Sequence, residues 1–148
     1  MVIEKYAEIK ENQLRYRHFK RIIELRGNMV EETLGQITTE GDVAIVTFKK
    51  SSISNVEDIS ITAGHIAKFI EDNRPNRVIF DFNGVKFFSS RVLGLLLETR
   101  ASLSSYNGDV LVSGINPQLH RVFKITNLDQ VFDFFPDTES AMKTKRST

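Results

Sequence analysis

Two adjacent serines, Ser89 and Ser90, follow the apolar pair Phe87-Phe88 and precede the run Val92-Leu93-Gly94-Leu95-Leu96-Leu97. A hydroxyl at the start of a helix can cap the orphan backbone N–H groups, or it can stay accessible and accept a phosphate. Taken alone, the spacing favours the cap. Other chemistry is thinly represented. Catalysis needs a nucleophile with a base, or a metal with ligands, and the three histidines, His18, His65 and His120, fall in three separate segments. None forms the short-spaced ligand pairs of a zinc site. His65 is expected on the outer face of its helix, and His120 beside a buried stripe. The absence of cysteine removes disulfides, thiolate metal sites and thiol nucleophiles. Gly84, Gly94, Gly108 and Gly114 match neither phosphate-binding glycine pattern, and each reads as a turn, a close contact or a helix stop. Asp81 and Asn83 resemble an acid pair, but a turn at Asn83-Gly84 needs such residues. No catalytic residue, metal or cofactor is expected, and the protein is not expected to be an enzyme.

The elements that must position the serines can be read on both sides. The hairpin is expected from strands at 36–39 and 43–48 around Gly41-Asp42. Residues 49–55 form a polar connection. Ser54-Asn55-Val56-Glu57 offers a capping box, with the Ser54 hydroxyl as the cap. The helix beyond it turns Ile59, Ala63, Ile66 and Ile70 to one side and ends at Asn73-Arg74-Pro75. Residues 77–82 form a near-continuous apolar run, as a strand covered on both faces does. Val85, Phe87 and Phe88 bring the chain back to the sheet edge. The helix opened by the serines buries Val92, Leu93, Leu96, Leu97 and Leu103, and Asn107-Gly108 stops it. A core strand at 109–113 follows. Asn116-Pro117 then starts a helix with Leu119, Val122 and Phe123 inward. A short strand at 131–134 and a last amphipathic helix complete the chain. Strands alternating with helices after an opening hairpin imply an α/β domain with a mostly parallel sheet of about five strands and about four helices.

Residues 1–35 differ in texture. They carry Lys5, Lys10, Arg15, Arg17, Lys20, Arg21 and Arg26 among Leu14, Tyr16, Phe19, Ile22, Ile23 and Leu25. The periodicity is mixed and compatible with a strand; a helix stopped at Gly27-Asn28 is the expectation. The basic side chains read as a solvated face ahead of a docking patch, and the arm is a candidate for homodimer formation.

The whole chain has 148 residues, which suits one domain of 36–148 preceded by the arm. Basic residues number 20 against 19 acidic ones, for a net charge of +1. A protein that binds nucleic acid by neutralising phosphates normally shows a strong basic excess, so no direct nucleic-acid partner is expected. The most apolar stretch, 92–97, is far shorter than the roughly 20 residues that span a bilayer, and the N-terminus lacks the apolar core of a signal peptide. A soluble, cytoplasmic protein without membrane insertion is the expectation.

The segment 81–97 resembles the motif of the STAS domain, shared by bacterial anti-sigma-factor antagonists and the cytoplasmic tails of sulfate transporters. Asp81-Phe82-Asn83-Gly84-Val85 fits the family's Asp-Leu-Ser-Gly-Val, Phe87-Phe88 its apolar pair, and Leu93-Gly94 with Leu95 to Leu97 its ending. Further likeness runs through Gly41-Asp42-Val43-Ala44-Ile45-Val46, the segment 108–114, Pro117, Val122-Phe123 and 128–132, so that the resemblance spans 36–142. It implies a STAS-like single domain and a partner-switching protein. When unphosphorylated, such a protein binds an anti-sigma factor that is also a serine kinase. The motif's phosphoacceptor falls on Ser90, with Ser89 as the alternative. The family's Asp before the acceptor is Ser89 here, and the small residues after it are Arg91 and Val92. The expected contact surface is Ser89, Ser90, Arg91 and Glu98, joined by the loop 49–54. The competing role is a constitutive STAS scaffold subunit of a sensory or transport complex, with no phosphorylation switch.

Overall fold

The protein's computed structural model describes residues 34–145. The arm, with His18 and the helix stop expected at Gly27-Asn28, lies outside the described residues apart from Leu34 and Gly35. The hairpin forms as expected: β1 (Gly35–Glu40) pairs antiparallel with β2 (Val43–Phe48) around Gly41, which takes φ +58°. The other main strands are β4 (Arg77–Asp81), β6 (Asp109–Ser113) and β7 (Asp133–Phe135). They follow β2 in parallel, giving the order β1-β2-β4-β6-β7. Helices α1 (Val56–Asn73), α2 (Ser90–Ser104) and α3 (Pro117–Ile125) make the crossovers, and α4 (Thr138–Lys143) closes the fold.

Side chains alternate across a strand, and this period assigns the two faces of the sheet. Ala44, Val46, Val78, Phe80, Val110 and Val112 pack with Ile59, Ile66, Leu96, Leu119 and Phe123 from the three crossover helices. Ile45, Ile79 and Leu111 face the other way and pack with Ala141 of α4. The apolar run of β4 is therefore covered on both sides, as its composition predicts. At the sheet end where β4 and β6 begin, the buried Arg77 guanidinium grips Asp109 with two bonds of 2.8 and 2.9 Å. It also donates to the carbonyls of Ala141 and Thr144 at the C-terminal end of α4, at 3.0 and 2.7 Å. Asp109 is partly exposed, so loss of the pair is expected to cost less than the roughly 3–5 kcal/mol of a fully buried one; the same guanidinium ties α4 to this end of the sheet.

Several local expectations need correction. The cap of α1 is Asn55, whose side chain accepts from the Asp58 N–H at 3.1 Å, so the capping box led by Ser54 does not form. Thr62 takes the fully buried place expected of Ala63 by donating its hydroxyl to the Asp58 carbonyl at 2.9 Å. On α2, Leu95 and Thr99 are buried, and Leu97 is 39 % exposed. His65 is half-buried rather than solvent-facing, and burial holds its pKa below the ordinary imidazole value. The last strand begins at Asp133, because a 3-10 turn at Leu128–Gln130 takes up the chain first.

Candidate functional site

The site grows from the carboxyl end of β4. Asp81 Oδ1 accepts from the Asn83 N–H at 2.9 Å, and Gly84 at φ +82° completes the turn. This bears out the reading of Asp81 and Asn83 as turn residues. Gly114 comes in close from the end of β6: a Cβ there would lie 3.0 Å from the Asn83 nitrogen. The Phe82 N–H donates to the Ser113 carbonyl at 2.8 Å, and Asn116 Nδ2 donates to the Val85 carbonyl at 2.9 Å. The turn is thus bonded to both β6 and the start of α3.

Phe87-Phe88 does not return to the main sheet. It forms β5, a strand of two residues pairing in parallel with β3 (Ser52–Ile53) inside the supposed polar connection. The Ser51 carbonyl accepts from the Lys86 and Phe87 N–H groups at 2.7 and 3.2 Å, and the Ile53 carbonyl accepts from Ser89 N–H at 2.9 Å. The pleat sends Phe88 inward, edge-on to Phe82 and Phe123 at 5.6 and 6.0 Å, and leaves Phe87 54 % exposed. The loop 49–54 therefore lies beside the start of α2, as expected, while Glu98 stands farther along the helix.

The two serines part ways. Ser89 sits at the N-cap position of α2 with extended backbone, but its side chain makes no capping bond. Its Oγ is enclosed, with no hydrogen-bond partner among the described residues. Ser90, the first helical residue, is exposed. Neither serine is the cap that spacing alone favours. No acidic residue stands in the first turn of α2, so its positive N-terminal end is not neutralised by a local carboxylate.

From Ser90 an exposed stripe runs along α2 through Arg91, Gly94, Leu97 and Glu98. Arg91 and Glu98 are seven residues apart, hence on one face and about 10 Å apart along the axis. Gly94 belongs to this stripe. A Cβ there would meet nothing within 4 Å, so the close-packing reading fails for this glycine. Composition also missed Phe87 and Val56, the latter 48 % exposed at the start of α1. The signal for Phe87 lay in the pair itself, since adjacent strand residues point to opposite sides.

Among the described residues no group of three or more His, Asp or Glu side chains gathers as metal ligands would. No described helix is long and apolar enough to cross a membrane.

An α/β domain with this parallel order and a helix start of this kind defines a class. A family model for the STAS domain matches residues 22–141. The chain belongs to the STAS domain family. A search of curated proteins finds no sequence match. Among solved structures, an anti-sigma factor antagonist from Mycobacterium paratuberculosis is 22 % identical with a TM-score of 0.64, over 76 % of this chain and 93 % of its own. An anti-sigma-factor antagonist (STAS) domain protein from Planctomyces limnophilus is 20 % identical with a TM-score of 0.65, over 72 % and 92 %. The Bacillus cell fate determinant SpoIIAA in its phosphorylated form is 16 % identical with a TM-score of 0.60, over 75 % and 99 %. At these identities the likeness establishes a shared fold.

Proposed function

We propose that this chain is an anti-sigma-factor antagonist that acts by binding and is switched by phosphorylation of Ser90. Unphosphorylated, it binds an anti-sigma factor that is also a serine kinase, in the cytoplasm, and so releases a sigma factor. The observation that carries this reading is the contrast between the serines: Ser90 is exposed at an uncapped helix start, and the Ser89 Oγ is enclosed. Membership in the STAS family and the fold shared with antagonists support it.

The physics of such a switch suits this position. A phosphate on Ser90 adds about −1.5 to −2 charges where the helix end favours an anion by about 0.3–1 kcal/mol. The domain tolerates it, and the exposed Arg91 guanidinium next along the chain is available to pair with it. A partner seated on Ser90, Arg91, Phe87 and Glu98 would have to desolvate that charge, and about 3 kcal/mol shifts affinity by roughly a hundredfold. The fold persists and the complex is lost.

Pull-down from native lysate with wild-type and Ser90→Asp baits, with phosphopeptide mapping, tests the reading. Retention of an ATP-binding kinase by wild type alone, with phosphate on Ser90, is the expected result. Equal retention by both baits, with Ser89 and Ser90 never phosphorylated, would favour the constitutive scaffold instead. That second reading draws on Ser89 standing where the family motif has Asp.

A further inference from the structure

Two charges on the exposed stripe of α2 have no counter-charge of their own. The ion pairs among the described residues join Lys50 to Asp58, Lys68 to Asp72, Arg77 to Asp109 and Lys143 to Glu139. Arg91 and Glu98, both exposed, belong to none of them. Gly94 lies between the two. A glycine in a helix interior is less favourable than alanine, and a Cβ at this one would meet nothing within 4 Å. Packing among the described residues therefore gives no reason for it. Bare backbone in the middle of an exposed helix face does allow another backbone to come close. Ser90, Leu97 and Ala101, exposed as well, complete the face.

The placement of the charges selects what fits there. Counted round the helix from Gly94 at about 100° per residue, Arg91 and Glu98 lie about 60° and 40° to one side, and Leu97 lies about 60° to the other. The midpoint between Arg91 and Glu98 falls between Gly94 and Leu95. A two-fold axis perpendicular to α2 at that point reverses height along the helix and keeps each flank on its own side. It sets every Arg91 level with Glu98 of the second copy, about 5 Å along the helix from the axis. The two ion pairs are then reciprocal, as a contact made by the same patch on both molecules requires. Gly94 of each copy falls at the crossing, and Leu97 turns toward Ser90 of the second copy on the opposite flank. A parallel pair of helices would instead set each charge level with its own like.

We infer that the exposed face of α2 is a self-association surface: α2 packs antiparallel on α2 of a second copy of this chain, crossing at Gly94, with Arg91 of each copy paired to Glu98 of the other. This contact does not depend on Ser90 being a switch. Any partner seated on the same stripe competes with the second copy for it.

Sedimentation equilibrium of the full chain, from micromolar to millimolar concentration, tests it. Wild type is expected to reach a monomer–dimer equilibrium within that range. Arg91→Glu and Glu98→Arg each set like charges opposite one another twice, so each is expected to raise the dimer dissociation constant roughly tenfold. Arg91→Glu and Glu98→Arg combined in one chain restore opposite charges at both pairs, and the constant is expected to return to within a few-fold of wild type. A wild-type chain that stays monomeric throughout would overturn the inference. So would a dimer indifferent to both single reversals, as one made through residues 1–35 would be, or a double variant no tighter than the single ones.

Discussion

The starts of α2 and α3 are near neighbours in chain order and opposite in construction. α3 begins with Asn116, whose Oδ1 accepts from the Leu119 N–H at 2.8 Å and whose Nδ2 reaches the Val85 carbonyl at 2.9 Å, with Pro117 following. α1 and α4 also begin with side-chain caps, from Asn55 and Asp137. α2 begins with a serine that caps nothing and a second serine open to solvent. Among the described α-helices, α2 alone starts without a side-chain cap, and that start stands beside exposed Phe87 and Arg91; on the function proposed above, a cap from within would compete with a partner for the same N–H groups.

This contrast can be sharpened or broken by substitution. Asn116→Ala removes a cap and leaves the carbonyl of buried Val85 without its donor, so a loss of about 2–3 kcal/mol in denaturant unfolding is expected. Asn55→Ala removes a cap alone and is expected to cost about 1 kcal/mol. Gly94→Ala is expected to stabilise the isolated domain by up to about 1 kcal/mol, since alanine favours helix and its methyl meets open space. The same variant is expected to weaken capture of the partner in the pull-down, because the methyl would stand in the contact stripe. Ser89→Ala is expected to change stability by less than about 0.5 kcal/mol, or to raise it slightly, because the enclosed Oγ has no bond to lose. A loss as large as that of Asn55→Ala would mean that Ser89 caps α2 in solution, and the contrast would fail.

The main sheet was legible in the sequence because its signals are periodic and strong. The apolar run of β4, the hairpin at Gly41 and the Asn116-Pro117 start each have one physical reading, and each forms as read. What escaped were choices between chemically similar neighbours. Ser54 and Asn55 are both good caps, and the one that fits depends on where the chain enters the helix. Leu95 and Leu97 differ only in angle within the apolar run 92–97, so packing decides between them. The pairing of β3 with β5 rests on two residues from each strand, too short for any period to reveal. Of the proposed surface, Ser90 and Arg91 were readable from the motif resemblance, whereas the exposure of Phe87 needed the pleat of a strand not expected there.

That small ladder has a consequence in time. Ser52 and Ile53 meet Phe87 and Phe88 only after α1 and β4 have been placed between them. Contacts between segments so far apart in sequence carry the loop-closure cost of everything intervening. The pairs of β2 with β4 are as far apart in sequence as Ser52 is from Phe87, so the ground around Ser90 carries the same loop-closure cost as the main sheet and is built with it, not locally. On the function proposed above, a partner for this surface would meet it only in a chain whose sheet has already formed.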